Sequence, residues 1–453
     1  MSRPWLWCLF FVSGLVSQLM AAEPKSDHYV VLISVDGLAH FYFDDPKSEL
    51  PTIRGLAKKG AHAKGGMQAS FPSVTWPNHT TLVTGVPPAK HGVLGNDYLD
   101  RETAEPVALI GDASFDKSEI VKVPTIYDLA SQAGLKTASI LWPASRNAKT
   151  LNWTVPDMSS PDSWPQYGTP DWLAELRQAG LPVDKHSSWG KEPLGGVLRD
   201  TLYTRMFRHV WQNHRPNLTL IHLVEVDHVE HKYGPQSPEA YWATSFADDR
   251  VRDIVETVNQ SDRADRTTII VASDHGFFPI SHEIRPNVLF KDLKQADGKP
   301  AIKTTSQGGG CMLYVLDEPR KDELIALAKE RLQAVAGIEK IIAPEQYATI
   351  GQFTPAVDRR APDLWLAATR DYSFSNSVQG ENAVVPRAPG GTHGYLTEHP
   401  ELFATLILSG AGIRPGTDLG HVSNMDVAPT IAELLGLTMS NVDGKVLKAA
   451  LKK

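Results

Sequence analysis

Six residues in this chain have the side-chain types and the placement to hold a divalent metal. They are Asp36, Asp227, His231, Asp274, His275 and His393. Three carboxylates and three imidazoles make a mixed oxygen and nitrogen set, which suits zinc or another divalent ion that accepts both. Asp227 and His231 are four residues apart in Asp-His-Val-Glu-His-Lys-Tyr-Gly-Pro. On a helical turn that spacing puts both side chains on one side. His393 lies between glycines in Gly-Gly-Thr-His-Gly. Each feature alone is weak, because an Asp at a strand end is often only a helix cap. The signal is their joint placement.

A second group lies in Phe71-Pro-Ser-Val-Thr-Trp-Pro-Asn-His-Thr-Thr-Leu-Val-Thr-Gly85. Its hydroxyl residues lead into a helix start, and a helix amino terminus offers free N–H groups to an anion. A threonine hydroxyl beside a divalent metal can lose its proton and act as a nucleophile, which makes Thr75 a candidate. Asn78 is a candidate donor to a phosphoryl oxygen. The competing role is plain helix capping by Ser73 or Thr75.

The elements that must position these residues follow a repeated strand–loop–helix pattern. His28–Val35 (HYVVLISV) is a continuous apolar run that ends at Asp36. Leu218–Val226 leads into Asp227, Thr267–Ala272 into Asp274 and His275, and Lys136–Leu141 into Trp142. Such runs read as strands buried on both faces. Helical periodicity lies over Pro51–Lys59, Thr125–Ala133, Ala240–Asn259 and Val427–Leu435. The alternation predicts an α/β fold with a mostly parallel sheet. Ligands of such sheets sit beyond the carboxyl ends of the strands, where the acidic and histidine residues fall. Two stretches break the pattern: 152–193 is predicted to be a loop-rich insert over the site, and 308–366 a small inserted α+β subdomain.

At 453 residues and 42% hydrophobic, the chain can bury one large core. The net charge of −7 and the lack of a long basic run argue against a nucleic-acid polymer as ligand. Arg3, an apolar run from Trp5 to Val16 and Ala21-Ala22 read as a secretory signal over residues 1–22, leaving 23–453 as the catalytic domain without a membrane span. Cys8 would leave with it, and Cys311 would have no partner. A large exported animal domain usually carries several disulfides, so a bacterial periplasmic or secreted protein is expected.

With these residues in place, the chain resembles the nucleotide pyrophosphatase/phosphodiesterase branch of the alkaline phosphatase superfamily. The resemblance rests on Val35-Asp36-Gly37, Thr75–His79, His91–Asn96, Trp142–Ser145, Asp227–Pro235, Ser273–Gly276, Gly391–Tyr395 and the segment NMDVAPTIAELLG near the carboxyl terminus, in family order. It implies an alkaline-phosphatase-like sheet flanked by helices. It also implies two zinc ions, one on Asp227, His231 and His393, the other on Asp36, Asp274, His275 and the Thr75 hydroxyl. Thr75 would form a phospho-threonine intermediate, with Asn78 on the phosphoryl oxygens.

The substrate is read as a small phosphate ester of nucleotide type. Trp76, directly after the nucleophile, is a candidate stacking surface for a base, with packing under the loop as its other role. Trp142, Trp153, Trp164 and Trp172 are further candidates to line the pocket. Arg146 and Lys149 could instead serve the third oxygen of a monoester. Phosphomonoesterase and phosphonoacetate hydrolase therefore stay open on the same core, and a non-catalytic zinc protein is the remote alternative. The loop lacks the modifiable Cys or Ser motif, which argues against a sulfatase. Nothing in the sequence fixes the oligomeric state.

Overall fold

The run HYVVLISV forms the strand Tyr29–Val35, with six of its seven residues buried. It belongs to a computed structural model that describes residues 27–111 and 114–452. The expected signal segment, 1–22, lies outside the described residues. The central sheet has eight strands, β1–β8 in chain order: Tyr29–Val35, Ala61–His62, Thr137–Trp142, Trp153–Pro156, Leu218–Leu223, Thr267–Ala272, Leu406–Gly410 and Thr417–Asp418. Their spatial order is β8-β2-β7-β6-β1-β5-β3-β4. Pairing is parallel except around β7, which runs antiparallel to β6 and β2.

Alternation along β1 divides the core between the two faces of the sheet. Val31, Ile33 and Val35 pack with the helices Gly195–Asn213 and Pro238–Asn259, through residues such as Phe207, Trp211, Val251 and Ile254. Val30 and Leu32 pack on the other face with Leu82, Ile126 and Ile431 of the helices Thr75–Thr84, Ile126–Gln132 and Val427–Leu434. This is the layered arrangement that βα alternation demands.

Register brings the chemistry together. Ser34 pairs with both His222 and Ala272, so β1, β5 and β6 end level. Asp36, the helix Glu225–Tyr233 and the Ser273–Gly276 turn all leave the sheet at that edge.

The first expected insert is built differently from the sequence reading, and the second is an α+β unit with an earlier start. In 152–193, Trp153–Pro156 is an edge strand of the central sheet, paired in parallel with β3. Beyond that strand the chain is largely helical, at Ser163–Tyr167, Pro170–Gln178 and His186–Trp189. The tryptophans explain this: Trp164 and Trp172 are buried and need regular cover. The second unit begins before residue 308. Ile302–Gln307, Gly310–Val315, Leu364–Ala368 and Ile338–Ile342 form an antiparallel sheet, with the helix Lys321–Gln333 alongside. A three-stranded sheet of Phe278–Ile284, Asp371–Phe374 and Val384–Thr392 ends next to His393. Phe71, in the loop before Thr75, meets Trp365 edge-on at 5.0 Å, so this unit braces that loop.

Candidate active site

Three residues from distant parts of the chain meet first. Asp227 Oδ1 lies 3.4 Å from His231 Nε2 and 3.3 Å from His393 Nε2, and the two imidazole nitrogens are 3.1 Å apart. His231 Nδ1 faces the Gly391 carbonyl at 3.1 Å, and His393 Nδ1 faces the Ser73 carbonyl at 2.9 Å. A carbonyl only accepts, so each neutral ring carries its proton on Nδ1 and turns the Nε2 lone pair inward. Three lone pairs then converge, an arrangement that a cation stabilises. Backbone carbonyls holding the outer nitrogens are the usual support of metal-binding histidines.

The second group adjoins it, since ligand atoms of Asp36, Asp227 and His275 all lie within 4.8 Å of one another. His275 Nε2 is 3.4 Å from Asp36 Oδ1 and 3.2 Å from Asp274 Oδ2. The His275 ring stacks on His393 at 3.7 Å. Gly37 donates its N–H to Asp274 Oδ1 at 3.2 Å, which turns Oδ2 toward His275. Gly37 has φ of +75°, and a Cβ there would come within 2.8 Å of the Phe277 ring, so only glycine fits. Asp36 Oδ1, Asp227 Oδ1, Asp274 Oδ2 and both His275 nitrogens are buried without a hydrogen-bond partner. Native interiors rarely leave such groups unsatisfied, so this donor set fits metal ions.

Electrostatics point the same way. Burial pushes the carboxyls of Asp36 and Asp274 well above the usual range, and neighbouring carboxylates add to it: Asp227 for Asp36, and Asp36 for Asp274. Burial pulls His275 and His393 down, which keeps their lone pairs available. For His231 burial is the largest single influence and lowers it, but the charge of Asp227 together with the hydrogen bonds to Asp227 and the Gly391 carbonyl outweighs burial, and the net shift is upward. Keeping three close carboxylates ionised requires compensating positive charge.

Thr75 opens the helix Thr75–Thr84 and is tied to both groups. On one side the Ser73 carbonyl holds His393. On the other, His79 Nδ1 lies 2.9 Å from the Thr75 carbonyl and 3.5 Å from Asp274 Oδ2. At the helix start the Thr75 N–H has no acceptor among the described residues.

The structure does not bring Asn78 into the cluster. Its side chain is fully buried. Its carbonyl accepts from the Ser70 N–H and from Asn424, and its amide donates to the carbonyls of Ser70, Pro72 and Val74. It fastens the loop before the helix. Trp76 is likewise no stacking platform: it is 2% exposed, packed beside Leu94 and Tyr98, and donates Nε1–H to Asp157 at 3.0 Å. Trp142, Trp164 and Trp172 are also buried. Arg146 pairs with Asp116 at 2.9 Å and lies 4.1 Å over the Tyr167 ring, while Lys149 is exposed.

Three residues that the sequence reading gave no role lie against the site. Asn96 accepts the Trp76 N–H at 2.9 Å through Oδ1, which sets its amide nitrogen beside the helix start, where it has no acceptor among the described residues. His222 Nε2 lies 2.9 Å from Asp36 Oδ2, and its Nδ1–H donates to the Leu141 carbonyl at 3.1 Å. Asp157 anchors Trp76. A histidine inside the apolar strand Leu218–Leu223 was the available signal for His222.

The profile of the type I phosphodiesterase / nucleotide pyrophosphatase family matches residues 30–396. A venom phosphodiesterase of Crotalus durissus collilineatus is 25% identical over 425 residues, covering 92% of this chain and 45% of its own length. Ectonucleotide pyrophosphatase/phosphodiesterase family member 3 of Rattus norvegicus is 26% identical over 419 residues, covering 90% and 42%. The chain thus spans a little under half the length of these relatives. Human ectonucleotide pyrophosphatase/phosphodiesterase 5 superposes with a TM-score of 0.70 at 18% identity, covering 94% of this chain and 100% of that one. An inactive threonine-to-alanine variant of the murine protein, in complex with AMP, superposes at 0.67 and 18% identity, covering 92% and 97%.

Proposed function

The chain belongs to the type I phosphodiesterase / nucleotide pyrophosphatase family, and from that premise we propose that it hydrolyses phosphodiester or pyrophosphate bonds of small nucleotide-type substrates through a phospho-threonine on Thr75. The observation that carries this reading is the convergence of buried, unpartnered carboxylate and imidazole atoms beside a threonine at a helix start. In this reading Asp227, His231 and His393 hold one zinc ion, and Asp36, Asp274, His275 and the Thr75 hydroxyl hold another. When bound, the two ions supply positive charge that acidifies a hydroxyl and takes up charge on a departing oxygen.

The chain's own groups do the rest. Thr75 Oγ gives up its proton to solvent water and attacks phosphorus. The new Oγ–P bond forms as the P–O bond to the leaving group breaks on the opposite face, and the departing oxygen takes a proton from water. Water then attacks the same phosphorus, the electrons of the Oγ–P bond return to Thr75 Oγ, and a proton of the attacking water restores the hydroxyl. The Thr75 N–H and the Asn96 amide supply two donors for the non-bridging oxygens, where charge builds up. His79 and His393, through the carbonyls of Thr75 and Ser73, fix the turn on which Oγ stands. Arg146 is held by Asp116 and Tyr167, which leaves a monoester's third oxygen without that cation and favours diesters. Export fits the amino-terminal segment and the venom and ectoenzyme names of the relatives.

The test is a paired rate assay on zinc-loaded protein with bis-p-nitrophenyl phosphate, p-nitrophenyl phosphate and phosphonoacetate. A preference for the diester is expected, with turnover lost but metal retained in Thr75→Ala. Equal hydrolysis by wild type and Thr75→Ala would reject the nucleophile, and a preference for the monoester or the phosphonate would reject the substrate class.

A further inference from the structure

The helix Pro170–Gln178 and the end of the helix Gly195–Asn213 meet at a cluster remote from the reaction centre. Ligand atoms of Glu175, His209 and His214 all lie within 4.8 Å of one another. Glu175 Oε2 is 2.6 Å from His214 Nε2. His209 Nδ1 is buried and has no hydrogen-bond partner among the described residues. Trp153, the first residue of β4, stacks on the His214 ring at 4.5 Å and 25°. Parallel strands begin at one edge of the sheet and end at the other, so Trp153 puts this cluster at the amino edge, opposite the catalytic one. Asp200, on the same helix, bonds the Val224 N–H beside the catalytic edge. His209 lies nine residues further on, about 14 Å along the axis.

We propose that Glu175, His209 and His214 form a separate divalent-metal site, for zinc or a borderline ion such as copper(II) or nickel(II). A Glu–His ion pair accounts for two of the residues but leaves the buried His209 nitrogen unexplained. A metal uses all three. Two imidazoles and one carboxylate match the ligand preferences of these ions and not those of calcium or magnesium, which take oxygen sets. Ligands around tetrahedral zinc, with bonds of about 2.0–2.1 Å, stand about 3.4 Å apart. Glu175 and His214 stand 2.6 Å apart and all three ligand atoms lie within 4.8 Å of one another, so small side-chain rotations close the site. Water completes the coordination, because the Glu175 side chain is 40% exposed. The ion would pin the segment after β4 to the long helix behind it. This inference does not rest on the hydrolase reading.

The experiment strips the full, untagged chain with chelator, reloads it with zinc alone, and counts bound zinc per chain. Wild type should hold one equivalent more than Glu175→Gln or His209→Asn, with the same hydrolysis rate at full catalytic loading. Copper(II) should quench part of the tryptophan emission in wild type, and this part should vanish in Trp153→Phe and in Glu175→Gln. Equal zinc content in wild type and both cluster variants would overturn the site, as would quenching that ignores Glu175→Gln. Glu175→Gln keeps the hydrogen bond to His214 and carries the test alone if His209→Asn fails to fold.

Discussion

Two asparagines near Thr75 should respond to truncation in opposite ways. Asn78 makes five hydrogen-bond contacts in a buried setting, to Ser70 twice, Pro72, Val74 and Asn424. Its amide has two protons for three of these contacts, so about four bonds are lost in Asn78→Ala. At about 1 kcal/mol net per bond the variant should lose about 4 kcal/mol of stability. Alanine suits a helix interior, so propensity adds no penalty. Asn96→Ala loses one bond, from the Trp76 N–H, and about 1 kcal/mol. Its effect on catalysis should be far larger. Removing one donor to a charge-bearing oxygen lowers turnover by about 10²–10³-fold. The assay pairs urea unfolding with kcat on bis-p-nitrophenyl phosphate, measured on protein shown to be folded. The reasoning fails if Asn78→Ala keeps its unfolding midpoint but loses turnover, or if Asn96→Ala turns over like wild type.

Arg146→Ala should leave the ratio of monoester to diester hydrolysis unchanged, because Arg146 is committed to Asp116 and Tyr167; a selective loss of the monoester rate would return it to the substrate. His91 should make the fold acid-labile. Burial pulls its pKa down from the ordinary 6.5 to about 3. Its Nδ1 accepts the Val93 N–H at 3.2 Å and Nε2 faces Thr81 at 3.1 Å, so a second proton has no place. Its stabilising effect is complete above pH 6.5 and is lost as pH falls from 6.5 toward 3, by up to about 1.4 kcal/mol per pH unit. Urea midpoints between pH 7 and pH 5 should therefore flatten in His91→Asn, and identical slopes would refute this. Chelation should lower the melting temperature as well as abolish hydrolysis, because Asp36, Asp227 and Asp274 are left close together, and zinc should restore both; an unchanged melting curve would mean that the site folds without help from its ions.

The parts of this site that were legible in the sequence lie at the ends of buried strands. An apolar run that stops at Asp36 or just before Asp274 marks both the strand and the edge where it emerges, whereas the run Leu218–Val226 overshoots its strand, which ends at Leu223, and Asp227 lies in the helix Glu225–Tyr233. Register then makes the three ends level, which alternation implies but cannot locate. Asn78 was misread because a donor one helical turn past the nucleophile looks available, and only the fold reveals that Ser70 and Asn424 already occupy it. Asn96 was placed in the His91–Asn96 motif but given no role of its own, for the converse reason. It lies 21 residues from Thr75, in a loop with no periodicity, and is brought to the helix start by a contact with the Trp76 N–H. Trp76 resisted sequence reading because an aromatic ring after a nucleophile serves equally well as a platform or as packing. Its neighbours Leu94 and Tyr98 decide for packing, and they arrive from a later segment. The insert at 152–193 lacks clear periodicity because its helices are short and its burial comes from isolated tryptophans.

The bond between the His393 ring and the Ser73 carbonyl joins residues 320 positions apart. A chain made from its amino end therefore presents Asp36, Thr75, Asp227 and Asp274 long before the last imidazole exists. The antiparallel strand β7 comes later still, and it fills the sheet between β6 and β2. The donor set is thus complete only once residue 393 has been made. The early part of the chain can lay down β1, β5 and β6, yet nascent polypeptide stopped before residue 393 has an incomplete donor set. Vectorial growth acts as a clock on the assembly of these side chains, and the strand that delivers His393 supplies the final member.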